Sequence, residues 1–164
     1  MISGHNDVSL AAAFTREHHE IDTAIEEFLS SDEPLPQRAT YLAAGIQALR
    51  RHIYLEEEIV FPHLPAGELM MPLMVMHREH GQLWAHMDDL EQALQAPEAT
   101  TQHLAEICQE MLALLERHNS KEEPIIYPYM DTALSDEERN QVRDLLAGGT
   151  LPEGWVCREA PHTN

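Results

Sequence analysis

The sequence predicts an all-α chain folded as an up-down-up-down four-helix bundle with a short extra helix toward its C-terminal end. Three observations predict it. Apolar residues recur at spacings of three and four through four long stretches. Breaks containing proline or small polar residues separate those stretches. The composition is 43% hydrophobic but only 5% aromatic and is rich in Ala, Leu, Glu and Gln, which suits helices rather than sheets. Four helices of comparable length joined by short connections favour antiparallel neighbours.

The first helix is expected from about Asp7 to Ser30, with Asn6 or Asp7 as its cap, and it closes at the linker Ser31 to Pro36. The second runs to about Phe61, where Pro62 and Pro65 stop it. Pro72 suits the first turn of the third, which continues to about Gln95 before Pro97. The fourth spans about Glu98 to Glu123 and is interrupted by Pro124 and Pro128. Ser135 with Glu138 forms a capping box for the short fifth helix, which ends at Gly148 and Gly149. The chain therefore divides into a bundle with its short helix over 1–148 and an irregular tail over 149–164.

At 164 residues the chain can bury a core without a disulfide or metal staple, so a bound metal would serve chemistry. Cys108 and Cys157 suggest neither a disulfide framework nor a thiolate zinc site. With no secretion signal and no run of about 18 apolar residues, a cytoplasmic location and no membrane association are expected. A formal charge of -19 without a local basic patch opposes nucleic acid and anionic lipid as partners.

An internal duplication runs through the bundle. Arg16-Glu17-His18 reappears as Arg78-Glu79-His80, and the window from His52 to Pro62 reappears from His118 to Pro128. Glu56 pairs with Glu122, Glu57 with Glu123, Ile59 with Ile125, and Phe61 with Tyr127. The bundle reads as two copies of one helical hairpin.

The polar members of the inward stripes locate the site. The stripes are Leu10, Phe14, His18, Ile21, Ile25, Phe28; then Leu42, Gly45, Leu49, His52, Glu56, Ile59. The third is Leu73, Met76, His80, Leu83, Met87, Leu90, Leu94; the fourth is Leu104, Cys108, Met111, Leu115, His118, Glu122, Ile125. Each stripe carries a histidine, and two add a glutamate one turn later, on the same helix face. A single such histidine is ordinarily a hydrogen-bonded core residue, and a single His-x-x-x-Glu pair a surface ion pair. Four histidines at matching heights and two copies of the pair are not explained that way.

Four imidazoles and two carboxylates without thiolate suit iron, and they exceed the needs of one tetrahedral zinc, although manganese and zinc also bind such donors. Two metals bridged by Glu56 and Glu122 use the donors most economically, and two divalent cations would neutralise the buried carboxylates. Glu57 and Glu58 are assigned to solvent or to supporting roles, and Glu17 and Glu79 to arginine pairing. Met70, Met71, Met74, Met76 and Met87 are assigned to the third helix's core and its approach. Trp84, Met87 and Tyr127 read first as core packing and second as the lining of a ligand pocket.

Over roughly Ala12 to Tyr129 these residues resemble the hemerythrin-like, HHE cation-binding family. His18, His52 with Glu56, His80, and His118 with Glu122 match its pattern in order and helix placement. The resemblance implies a pair of irons bridged by two carboxylates and an oxygen species, reactive toward dioxygen, peroxide or nitric oxide. Oxygen-carrying members have a His-x-x-x-His pair on the third helix. Here Met76 and Trp84 stand four positions from His80, so His77, three away on the same face, is the candidate fifth histidine. Those members also place the last carboxylate five residues after its histidine, at Glu123, whereas the repeat favours Glu122. The expected function is a di-iron protein that binds or senses a small diatomic or peroxide ligand, or iron itself. The alternatives are an enzyme of oxidative or nitrosative defence and a metal-stabilised regulatory module. The family's repair proteins carry an added cysteine-bearing N-terminal domain that is not seen here, which ranks repair behind binding.

Overall fold

The computed structural model describes residues 8–98 and 100–161, most of which are helical, with no strand among them. Helix α1 (Leu10–Ser30) opens at Ser9, whose hydroxyl accepts from the Ala12 N–H. Asp131, distant in sequence, accepts from the N–H groups of Leu10 and Ala11 at 2.8 and 3.1 Å. The first N–H groups of a helix need such partners, and a carboxylate also suits the positive end of the helix dipole. Asn6 and Asp7, the expected caps, lie outside the described residues.

Helix α2 (Leu35–Tyr54) begins inside the expected linker, because Pro36 occupies its first turn, where a missing N–H leaves no bond unmade. It passes into a π-helical stretch, Leu55–Val60, in which the Phe61 N–H reaches back to the Glu56 carbonyl, and then into the 3-10 turn Phe61–His63. A regular α-helix turns consecutive side chains about 100° apart. The wider π turn lets Glu56 and Glu57 both point inward. It also hands the core position from Ile59, which is half-buried, to Val60, which is fully buried.

Helix α3 (Ala66–Gln95) begins well before Pro72, which lies inside the helix rather than in its first turn. The position tolerates proline because Glu68, whose carbonyl the missing N–H would have served, is exposed and can be hydrated. This early stretch overhangs the core: Met70, Met71 and Met74 are 59%, 64% and 59% exposed, not core residues as expected. Leu69 is buried in their place and Leu73 is half-buried, while Met76 and Met87 are buried as expected.

Helix α4 (Thr101–Ile125) starts at the Thr100 cap, not at Glu98, which lies in the turn with Pro97. After Glu122 the inward stripe steps four residues to Ile126, and Ile125 is 44% exposed. A 3-10 turn (Tyr127–Tyr129), the single turn α5 (Met130–Ala133) and α6 (Asp136–Gly148) follow, and the Ser135/Glu138 capping box is present.

Helix α1 packs along α2 and α4, and α3 along α4 and α2. His18, early in α1, meets His52 at the end of α2, as antiparallel neighbours require. The apolar core forms two layers. One contains Ile21, Ile25, Phe28, Leu49, Leu83 and Met111. The other contains Phe14, Leu55, Phe61, Met76, Met130 and Val142. The histidines and glutamates lie between the two layers. Residues 149–161 form no helix but fold back on the bundle. Trp155 stands edge-on to Tyr54 and Trp84, at 5.1 and 5.5 Å between ring centres. The tail crosses α3 at Gly81, where any Cβ would collide with the Glu159 carbonyl. No described helix is long and apolar enough to cross a membrane.

Candidate metal centre

His18, His52, Glu56, His80, His118 and Glu122 are all buried, none more than 4% exposed. Their donor atoms form two groups, His18, His52, Glu56, Glu122 and Glu56, His80, His118, Glu122, each with its atoms within 4.8 Å of one another. Both glutamates belong to both groups. Glu56 lies with Oε2 3.1 Å from His52 Nε2 and Oε1 3.1 Å from His80 Nε2. Glu122 Oε1 is 3.2 Å from His18 Nε2 and 3.4 Å from His118 Nε2.

Each histidine turns its other nitrogen to a carboxylate. Nδ1 of His18 is 2.7 Å from Glu123, that of His52 2.9 Å from Glu17, that of His80 2.7 Å from Glu57, and that of His118 2.9 Å from Glu79. A carboxylate only accepts, so the proton of each neutral ring sits on Nδ1 and donates outward, leaving a bare lone pair on Nε2 aimed at the centre. His18 and His52 then oppose bare nitrogens at 3.1 Å. Glu56 Oε1, His80 Nε2 and Glu122 Oε2 are buried with no aligned hydrogen-bond partner. Converging lone pairs are costly to bury unless a cation or protons fill the space between them. The donor set therefore fits metal cations.

The family model for the hemerythrin HHE cation-binding domain matches residues 9–130 and again 71–147, the two matches overlapping on the second hairpin. The chain belongs to this family. Neither a curated protein nor a solved structure matches it. Within this HHE domain, the supports of the four central imidazoles repeat with the hairpins. Glu17 on α1 holds His52 on α2 as Glu79 on α3 holds His118 on α4, and Glu57 holds His80 as Glu123 holds His18.

Charge balance without metal follows from this geometry. Burial alone would drive the His118 proton off, but the Glu122 charge and hydrogen bonds to Glu122 and Glu79 outweigh it and push the group up to about 10. His52 is likewise pushed well up, the Glu56 charge and the Glu17 bond overcoming burial. Burial opposes ionisation of Glu122, yet the His118 charge holds it well below the usual carboxylate range. For Glu57, the nearby His77 ring, the hydrogen bond from His80 and the Arg158 N–H overcome burial and hold the carboxyl at about 2. Protons on His52 and His118 thus take the place of cations.

His77 stands outside both groups. It is buried against Phe61, edge-on at 5.5 Å, with Nδ1 3.3 Å from Glu57 and no aligned hydrogen bond. Three residues before His80, it is rotated off the line that aims His80 inward. Glu123 has a side chain 33% exposed and holds His18 from outside, whereas Glu122 lies at the centre.

Three features were not read from the sequence. Glu17 and Glu79 pair with Arg51 and Lys121 but also anchor His52 and His118, and the duplicated Arg-Glu-His triplet was their signal. The Arg158 N–H donates to Glu57 at 3.0 Å, so the tail reaches the centre's support, which no local pattern announces. Tyr127 is not mere core packing: its hydroxyl lies among His18, His52, Glu56 and Glu122 at 2.8, 3.0, 2.6 and 3.0 Å. Its mismatch with Phe61 in the repeat was the available clue.

Proposed function

We propose that this HHE domain holds two irons, one for each donor group, bridged by Glu56 and Glu122, and that the pair binds or senses dioxygen, nitric oxide or peroxide. The observation that carries the reading is the sharing of both buried glutamates between two histidine pairs. One carboxylate in reach of both pairs supports two adjacent cations and offsets their repulsion. When bound, iron supplies one-electron chemistry and open positions for small ligands.

The chain's own groups do the rest. Glu17, Glu57, Glu79 and Glu123 hold the four rings so that Nε2 faces inward, and they raise the basicity of that nitrogen. Phe14 tilts against His52 at 4.9 Å and Phe61 stacks on His80 at 5.9 Å, excluding water from the layer. The test is anaerobic reduction of the iron-loaded protein followed by exposure to oxygen, nitric oxide or peroxide. A reversible, ligand-dependent change in the visible spectrum is expected. Steady catalytic loss of peroxide would assign an enzyme instead, and a silent spectrum with metal-dependent stability would assign a structural module.

A further inference from the structure

We infer that the phenol oxygen of Tyr127 is an additional ligand of the ion in the His18/His52 half, which leaves the His80/His118 half as the one open to exogenous ligand. The inference rests on the two-metal reading and adds an asymmetry to it.

The hydroxyl has four neighbours and one proton. Both carboxylates only accept, and in the neutral rings that ligate a metal both Nε2 atoms are bare, because Nδ1 donates to Glu123 or Glu17. One O–H can serve only one of these four. Their spacing also matches a coordination shell. A six-coordinate ion about 2.0–2.2 Å from its donors keeps neighbouring donors about 3 Å apart. His18 to His52, His52 to Glu56 and His18 to Glu122 are 3.1, 3.1 and 3.2 Å apart. Tyr127 Oη stands 2.6 to 3.0 Å from all four, so that one ion held by the four would have the phenol oxygen within reach as well.

The other half offers no such donor. By the hairpin repeat its equivalent of Tyr127 is Phe61, stacked on His80 as Tyr127 is stacked on His18, at 5.9 and 5.4 Å. Phe61 has no oxygen to give. Among the donor atoms of the centre, Glu56 Oε1, Glu122 Oε2 and His80 Nε2 are buried without an aligned partner, and the two oxygens lie 3.1 and 3.9 Å from His80 Nε2, in that half. A small ligand would therefore find its position on the His80/His118 side, and Tyr127, in holding a ferric ion on the other, would give up its phenol proton to solvent.

The test uses the whole chain loaded with iron and oxidised in air. Resonance Raman excitation in the visible band is expected to show ring vibrations of an iron-bound phenolate, which shift when tyrosine is ring-deuterated. In Tyr127→Phe those vibrations should vanish while the iron of the His80/His118 half is retained. Wild-type protein with two irons but no phenolate vibrations would overturn the inference and leave the two-metal reading standing. So would vibrations that persist in a folded Phe variant. Fewer than two irons in wild-type protein would overturn both. The wild-type spectrum decides the matter even where the variant does not fold.

Discussion

His18 and His80 occupy equivalent places in the two hairpins, each with Nδ1 on a carboxylate of the other hairpin and an aromatic ring stacked over it. Over His18 that ring carries a hydroxyl, and over His80 it does not. The supports differ as well. Glu57, beneath His80, is buried by the π turn and braced by the tail through the Arg158 N–H, while Glu123, beneath His18, is one-third exposed. The two hairpins thus present the same set of histidines and glutamates, yet they differ in the ring over the histidine and in how deeply the carboxylate beneath it is buried.

Removing what the halves share gives the largest expected effect. Glu56→Gln and Glu122→Gln each keep the size and lose the charge, so each should lower metal content from two per chain to less than one, both ions leaving together. Elemental analysis checks this, and a variant that retains a full pair removes that residue from the bridge. Next come changes confined to one half. His18→Ala and His118→Ala should each lower the count from two toward one, whereas His103→Ala, at an exposed position, should leave it at two.

How far these predictions could be drawn from the sequence depends on the length scale involved. Helical periodicity showed that His18, His52, His80 and His118 lie on apolar faces, because burial of an imidazole is visible as a break in a hydrophobic stripe. The π stretch was not legible, since no residue in Leu55–Val60 forbids a regular helix; the demand that Glu56 and Glu57 both face inward arises only in the fold. Pro72 misled because a helix interior tolerates proline where the freed carbonyl can be hydrated. The tail's return across Gly81 depends on contacts far apart in sequence, which composition does not encode.

Proton occupancy gives a third test. In metal-free protein His118 is raised from 6.5 to about 10, so its contribution to stability is fully present below pH 6.5 and is lost as pH rises toward 10. Urea unfolding of the apo form should therefore show falling stability between these values. The iron-loaded form, whose Nε2 atoms are engaged by metal rather than by protons, should stay level across the same range. Equal slopes would mean that metal and protons do not compete for these rings.

The supports give smaller effects that sharpen the asymmetry. Loss of an outer carboxylate typically weakens metal binding by about 10–100-fold. Glu57→Gln should fall in that range, and Glu123→Gln below it because solvent already screens that group; competition with a chelator measures both. Gly81→Ala should act least on the metal. Its methyl group displaces the tail at Glu159 and loosens the Arg158 brace, at a cost of about 1–3 kcal/mol in thermal or chemical unfolding.

If the shared glutamates hold two ions, they hold them as one magnetic unit. Mössbauer spectroscopy of wild-type protein, reconstituted anaerobically with ferrous iron, oxidised in air and assayed for iron, tests it most directly. Two irons per chain in a single antiferromagnetically coupled pair are expected. One iron per chain, or two that behave as magnetically independent ions, would contradict it.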